Sequence, residues 1–179
     1  MKTVGDKLTA FAVTGVNPGK DDFFTINEHT FKDKWKVIVF YPKDFTFVCP
    51  TEIVAYDKLA QDFEDRDAVL LTGSTDNEFC KLAWQNSHPD LKQIKHVQFA
   101  DTARDERSLS DQLGVFFAPA GAALRATFIV DPDNVIQHVT VNNLNVGRSP
   151  EETLRVLDSC QTGELCQCNR QVGQETLGK

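Results

Sequence analysis

The chain has 179 residues and a formal net charge of −7, which fits one acidic domain. A protein with a pI near 5.0 lacks the basic surface that nucleic acids and anionic membranes attract, so we expect neither partner. Its 41% hydrophobic and 25% charged residues are typical of a globular protein and exclude collagen-like and disordered classes. Residues 1–7 do not resemble a signal peptide, and no apolar run reaches the length of a membrane span. We therefore expect a single cytoplasmic domain over residues 1–179.

Hydrophobic periodicity and turn residues predict the elements of this domain. In chain order they are a strand over 35–41, a helix over 50–66, a strand over 68–73, a helix over 77–86, a short helix over 108–113, strands over 126–130 and 135–139 joined by a turn, and a helix from Ser149 through Leu157. The helix over 77–86 is expected to bury Phe79, Leu82 and Ala83.

The order of these elements predicts an α/β fold. Strand–helix–strand–helix segments followed by a hairpin indicate a central mixed β-sheet with helices on both faces. Residues 161–179 are polar and contain three glycines, so we expect a mobile C-terminal arm after the last helix.

The chain has five cysteines, at positions 49, 80, 160, 166 and 168. An odd number in a chain long enough to fold unaided argues against an extracellular disulfide framework and leaves packing, metal binding or redox chemistry. Cys80 and Cys160 lie on predicted helices, where packing is expected. The four histidines are scattered among surface-type residues and receive no role, and no zinc-binding spacing is present, so no metal is expected.

Cys49 lies at the turn between a predicted strand and a predicted helix. The first turn of a helix carries unpaired N–H groups and a partial positive charge, which stabilise a thiolate. The dipole alone contributes only about 0.3–1 kcal/mol, so an activated thiolate also requires a cation from elsewhere in the fold. The alternative is that Cys49 simply packs as a small apolar residue beneath the helix.

The residues around Cys49 resemble a known active-site loop. The sequence Phe-Tyr-Pro at 40–42 and Asp-Phe-Thr-Phe-Val-Cys-Pro-Thr-Glu at 44–52 is similar to that of peroxiredoxins of the typical two-cysteine type, the branch that contains bacterial alkyl hydroperoxide reductase C subunits. The similarity continues at Trp84, at 125–132, at 146–149 and at 164–166. It therefore covers nearly the whole chain.

This resemblance implies a thioredoxin-like fold and a thiol peroxidase that uses no metal, haem or flavin. Cys49 would attack the peroxide, Arg125 would be the cation beside it, Thr46 would orient the peroxide and Pro42 would shield the sulfur. A supporting network is implied for Glu52 and Arg148. Considered alone, Arg125 could instead be a solvated charge at a strand edge, and Thr46 an ordinary turn residue.

The resemblance also implies that Cys166 is the resolving cysteine, which forms a disulfide with Cys49 of a partner subunit. It thus implies a homodimer, a form that in this family commonly assembles into decameric rings. Thioredoxin or a dedicated disulfide reductase would then reduce the disulfide. Cys168 departs from the common pattern and has three interpretations: a second resolver or shuttle, an exposed bystander, or half of a metal site.

Two other functions remain compatible with parts of the sequence. A thiol–disulfide oxidoreductase would share the fold, but it needs a second cysteine three residues after Cys49, where this chain has Glu52. A ring-forming chaperone or signalling partner is a further alternative. Peroxide consumption that depends on Cys49 would separate the peroxidase from both.

Overall fold

The computed structural model describes all residues, Met1–Lys179. The strands are β1 Val13–Val16, β2 Phe23–Ile26, β3 Trp35–Phe40, β4 Ala68–Ser74, β5 Val97–Ala100, β6 Phe116–Phe117, β7 Ala122–Ala123, β8 Arg125–Val130 and β9 Ile136–Asn142. The α-helices are α1 Cys49–Lys58, α2 Ala60–Glu64, α3 Glu78–Ser87, α4 Leu109–Leu113 and α5 Pro150–Thr162, and short 3₁₀ turns cover Leu91–Gln93 and Ala118–Ala120. None of the helices has the length and apolar character needed to cross a membrane.

Seven strands form one mixed sheet in the order β2-β1-β5-β4-β3-β8-β9. The central strands β3, β4 and β5 are parallel, while β8 pairs antiparallel with β3 and β9 pairs antiparallel with β8. Strands β6 and β7 form a separate small hairpin. The site-bearing ends of β3 and β8 are thus fixed side by side in the middle of the fold.

Both faces of the sheet are buried because side chains alternate along each strand. Val37 and Val39 of β3 pack on the face that carries Tyr56 of α1 and Leu157 of α5. Ile38 and Phe40 belong to the larger core on the opposite face, together with residues of α4 and of the N-terminal segment. The predicted mixed sheet with helices on both faces is confirmed.

Most of the predicted elements are present, with small differences in their bounds. The helix expected over 50–66 is broken at Leu59, whose backbone (φ −99°, ψ 8°) leaves the helical region, so that it becomes α1 and α2. The last helix begins as expected, because Ser149 accepts a hydrogen bond from the Glu152 N–H and Pro150 occupies the first turn. The four-residue strands β1, β2 and β5 were not predicted.

The buried face of α3 differs from the predicted one. Phe79 is 65% exposed, where it makes an edge-to-face contact with Phe23, and the buried side chains of α3 are Lys81, Trp84 and Gln85. Polar groups lie beneath this helix at the sheet, so polar side chains of α3 point inward to bond them. Apolar periodicity therefore gave the wrong face.

The C-terminal arm is folded back on α5 rather than free of the body. Arg170 is only 4% exposed, and its Nη1 lies 2.7 Å from Asp158 Oδ2 of α5. Backbone hydrogen bonds between Leu165 and residues 177 and 178 close the arm on itself. The buried Arg170 therefore attaches the arm to α5, although the polar sequence of the arm predicted a mobile segment.

Candidate active site

Cys49 is the first residue of α1 and is 1% exposed. It follows a loop that leaves the end of β3, and the Val48 carbonyl accepts the first backbone hydrogen bonds of the helix from Thr51 and Glu52. Pro50 fits this first turn because its missing N–H needs no partner there. The sulfur therefore lies at the positive end of a helix, in a pocket closed to solvent.

Arg125 is the cation beside this sulfur. It begins β8, and its Nη1 lies 3.5 Å from Cys49 Sγ and 2.7 Å from Glu52 Oε2. Its Nε donates to the Leu144 carbonyl at 2.6 Å, which fixes the plane of the guanidinium. Nη2 has no protein partner, so one donor group of the fork is left available at the site.

Glu52 links two buried arginines. Arg148 donates from Nε to Glu52 Oε1 at 2.8 Å and from Nη2 to Oε2 at 2.9 Å, while its Nη1 donates to the Ala126 carbonyl. Burial tends to raise the pKa of Glu52, but the hydrogen bonds and charges of Arg148 and Arg125 outweigh it and hold that pKa below the ordinary value. A carboxylate that stays ionised thus keeps Arg125 in position.

The loop before Cys49 carries the other two expected residues. Pro42 is buried at the end of β3. Thr46 is half-buried, and its hydroxyl donates to the Lys43 carbonyl at 2.9 Å rather than to the sulfur. Because the hydroxyl proton is used in this bond, the oxygen lone pairs are left to accept a hydrogen bond.

A polar cluster that sequence reasoning missed lies beneath this loop. Lys81 Nζ, fully buried, donates to Ser74 Oγ at 2.7 Å, to Asp44 at 3.1 and 3.3 Å, and to the Tyr41 hydroxyl at 3.2 Å. Tyr41 in turn donates to Asp44 at 2.7 Å, and burial followed by the Asp44 charge raises the pKa of Tyr41 well above its ordinary value. In the sequence, the only indication of this cluster was the position of Lys81, which lies three residues before the buried Trp84 and therefore on the same face of the helix.

The remaining four cysteines have surroundings that differ from those of Cys49. Cys166 is half-buried against the Ser159 carbonyl and the Thr162 hydroxyl, and Cys168 is exposed. Burial and the charges of Asp44 and Asp76 raise the pKa of Cys80 to about 11. Burial, with a smaller effect of Cys166, also raises the pKa of Cys160.

One histidine differs from its expected surface location. His96 is buried, with Nδ1 at 2.6 Å from Asp57 Oδ1 and Nε2 at 2.9 Å from Thr72 Oγ1. It ties the end of α1 to the sheet. No group of three His, Cys, Asp or Glu side chains is arranged to hold a metal ion.

The structure thus brings together Cys49, Arg125, Glu52 and Arg148, with Pro42 and Thr46 on the adjoining loop. Comparison with known protein families matches residues 4–139 to the AhpC/TSA family. The chain belongs to the AhpC/TSA family.

Relatives in the AhpC/TSA family align along nearly the full length. Alkyl hydroperoxide reductase C of Mycolicibacterium smegmatis is 45% identical over 185 residues, which cover 98% of this chain and 93% of the relative. Peroxiredoxin TSA1-B of Candida albicans is 40% identical, with 94% of this chain and 87% of the relative covered. The expected resemblance to peroxiredoxins is confirmed.

Solved structures in the AhpC/TSA family have the same architecture. AhpC of Mycobacterium tuberculosis superposes with a TM-score of 0.83 at 44% identity, covering 93% of this chain and 97% of that one. The reduced 2-Cys peroxiredoxin of Plasmodium vivax superposes with a TM-score of 0.88 at 35% identity, covering 98% and 92%. The thioredoxin-like fold is therefore confirmed.

Proposed function

We propose that this chain is a thiol peroxidase of the two-cysteine peroxiredoxin type, which reduces hydrogen peroxide and organic hydroperoxides with Cys49 as the attacking thiol. The observation that carries this proposal is the 3.5 Å contact between Arg125 Nη1 and Cys49 Sγ in a pocket closed to solvent. The names of relatives such as alkyl hydroperoxide reductase C and thioredoxin peroxidase support the same activity.

The chemical step is a displacement at oxygen. The Cys49 thiolate attacks one peroxide oxygen, an S–O bond forms, and the O–O bond breaks with both electrons leaving on the second oxygen. That oxygen takes up a proton and departs as water or an alcohol, so that the sulfur is oxidised to a sulfenic acid and the peroxide is reduced. The step needs an ionised sulfur and a donor aimed at the departing oxygen.

Arg125 meets both needs. Its Nη1 bonds the sulfur, and its free Nη2 can donate to the departing oxygen, where negative charge develops. The Thr46 oxygen, whose proton is held by Lys43, accepts a hydrogen bond from the peroxide O–H and so orients it. Pro42 limits access of water to the pocket, and Glu52 with Arg148 holds the guanidinium in place.

Cys166 is the proposed resolving thiol. It condenses with the Cys49 sulfenic acid of a partner subunit, which forms an S–S bond and releases water. Strand β9 supports a homodimer, because it is a seven-residue edge strand with no charged residue or proline to prevent pairing with a second copy. Two such copies would pair about a two-fold axis and give two active sites.

The exposed Cys168 is the proposed shuttle of the disulfide. It lies two residues from Cys166 and is accessible to an outside reductant, so exchange from Cys166 to Cys168 would bring the disulfide to the surface. The reductant is a dithiol protein, either thioredoxin or a dedicated disulfide reductase, and no bound cofactor takes part. The proposed compartment is the reducing cytoplasm, because an odd number of cysteines in a chain of this length argues against an extracellular disulfide framework.

An aromatic surface supports assembly of dimers into a ring. Phe47 is 94% exposed and Phe45, two residues before it on the same loop, is 56% exposed, with its ring 5.7 Å from that of Trp84. Large apolar side chains grouped in this way mark an interaction site. Sedimentation of the reduced protein, compared with a Phe47→Asp variant, tests whether this surface joins dimers.

The activity is tested by peroxide consumption with a dithiol reductant. Cys49→Ser is expected to abolish turnover, whereas Cys80→Ser, which removes another thiol near the loop, retains it. Peptide mapping under non-reducing conditions after one equivalent of peroxide should recover a Cys49–Cys166 link between chains. Turnover by Cys49→Ser would disprove the proposal, and a link within one chain would reassign the resolving step.

A further inference from the structure

Two buried carboxylates bracket the segment that contains Cys49. Asp44 is bound by Lys81 of α3, and Glu52 is bound by Arg125 and Arg148. Both carboxylates are attached to parts of the fold that lie outside the loop. Residues 45–51 are therefore the stretch between two fixed points.

Asp44 is attached through both its backbone and its side chain. Its N–H donates to Asp76 Oδ2 at 2.7 Å, and its carboxylate accepts from Lys81, Ser74 and Tyr41. By contrast, the side chains of Phe45 and Phe47 in the following stretch are exposed. Phe45 also has a left-handed backbone (φ 55°), which is strained for an aromatic residue and is held only by its surroundings.

Lys81 is the one cation bonded to this attachment point. Asp44 and Asp76 both accept from the Ser74 hydroxyl, and the salt bridges of the chain include no other cation for either carboxylate. Without Lys81, two negative charges would face each other across one hydroxyl in a buried site. Such an arrangement pushes the carboxylates apart, and Asp44 would then leave its position.

We propose that Lys81 is a positioning residue of the peroxidase: through Asp44 it fixes the hinge at which the Cys49 segment opens, and so it sets how long the Cys49 sulfenic acid stays in its pocket. This inference rests on the proposed function, because it assumes a sulfenic acid on Cys49. Within the closed pocket the sulfenic acid can meet a second peroxide and become a sulfinic acid, with the peroxide reduced to water or an alcohol. In the opened segment it meets the resolving thiol instead.

The second fixed point limits how far the opened sulfur can travel. Cys49 is three residues from Glu52, so its Cα stays within about 10 Å of the Glu52 Cα even when the segment is fully extended. A disulfide spans about 6 Å between Cα atoms. A resolving cysteine must therefore come within about 16 Å of the Glu52 Cα.

The test compares Lys81→Met with Lys36→Met. Lys36 is also a buried lysine with a side-chain partner, Asn134, but it lies on β3 away from this cluster and makes a matched control. Each protein turns over increasing hydrogen peroxide with dithiothreitol, and mass spectrometry measures Cys49 as disulfide or sulfinic acid. Lys81→Met is expected to need about tenfold more peroxide for half conversion to sulfinic acid, because the weakened hinge opens more often.

A second variant breaks the same pair from the loop side. Asp44→Asn is also expected to raise the sulfinic midpoint, which is the peroxide concentration that converts half of Cys49 to sulfinic acid. The double variant should raise this midpoint no further than the larger of the two single changes. Asp44→Asn also keeps the test open if Lys81→Met does not fold. Hydrogen exchange of residues 46–51 should be faster in both variants than in Lys36→Met.

The outcomes separate this inference from the proposed function. A sulfinic midpoint in Lys81→Met and Asp44→Asn equal to that of Lys36→Met would overturn the hinge, since general loss of stability would then explain all the variants. If the shifts of the two single variants add up in the double variant, Lys81 and Asp44 act independently, and the proposed coupling between them is overturned. If Cys49 of the natural chain is not oxidised at all, it is the proposed function that fails.

Discussion

Arg125 Nη1 lies 2.7 Å from Glu52 Oε2, and the same nitrogen lies 3.5 Å from the Cys49 sulfur. The carboxylate and the sulfur therefore share one donor group. Because Arg148 also binds Glu52, this single carboxylate holds two buried guanidinium groups at fixed positions. The position of the cation beside the Cys49 sulfur thus depends on Glu52, which makes no hydrogen bond to that sulfur.

Replacement of Glu52 by Gln should therefore reduce both stability and activity. The change leaves two buried guanidinium groups without a counter-charge, and loss of one partner of a buried ion pair costs about 3 kcal/mol or more. Urea unfolding should show this loss, and the rate of peroxide consumption should fall in folded protein. Glu151→Gln, an exposed glutamate of α5, is the control and should change neither.

The low pKa of Glu52 predicts a particular acid sensitivity. A carboxyl group whose pKa is depressed on folding stabilises the native state above its unfolded pKa, and this contribution is lost as the pH falls through the folded value. The natural chain should therefore lose stability progressively below a pH of about 4.5. In Glu52→Gln the slope of unfolding free energy against pH should be smaller in that range, and an unchanged slope would contradict the assignment.

Replacement of Arg125 by Lys tests the geometry of the cation rather than its charge. A lysine keeps the charge but cannot bond the sulfur, Glu52 and the Leu144 carbonyl together, and it leaves no further donor for the departing oxygen. The second-order rate constant with hydrogen peroxide should fall by about 10²–10³. Arg107→Lys, on an exposed loop, should react at the natural rate, and a rate unchanged in Arg125→Lys would remove Arg125 from the mechanism.

Local sequence features predicted only the part of the site that the short segment around Cys49 forms. A cysteine followed by Pro50 at a strand–helix junction indicates, without reference to any relative, a thiol at the positive end of a helix, whereas the cation needed to activate it came only from the family resemblance. Arg125 and Arg148 are distant along the chain, so their approach to Glu52 depends on the sheet register, and only the family resemblance indicated it.

Lys81 shows why the rest could not be predicted. Periodicity analysis assigns apolar residues to the core, so on α3 it selected Phe79 and excluded a lysine. The structure reverses this choice because three polar groups below α3 satisfy the ammonium. A buried polar cluster of this kind is formed by tertiary contacts and leaves little trace in local sequence. The short strands β1, β2 and β5 could not be predicted for a related reason, since four residues are too few to establish a hydrophobic periodicity.

The proposed exchange between subunits can be tested with hybrid dimers. Cys49→Ser and Cys166→Ser homodimers should each lack turnover, because each lacks one of the two thiols at both sites. A co-expressed, purified hybrid of the two variants has one site with both thiols and should regain about half of the natural activity, by the symmetry of the dimer. A hybrid with no activity would contradict disulfide formation between subunits. Cys168→Ser should still form the link between chains.

The folded-back arm predicts a site of restricted proteolysis. Cleavage after Arg170 requires this residue to leave Asp158, which also accepts from the Gly173 N–H and lies 3.6 Å from Arg66 Nε. Asp158→Asn removes the charge that holds the arm, and a hydrogen bond to a charged group contributes about 1.5–3 kcal/mol. Trypsin should therefore release residues 171–179 at least about tenfold faster from Asp158→Asn, since opening of the arm limits cleavage. Glu151→Gln on the same helix should be cleaved at the natural rate, and equal rates for all three proteins would show that the Arg170–Asp158 pair does not hold the arm.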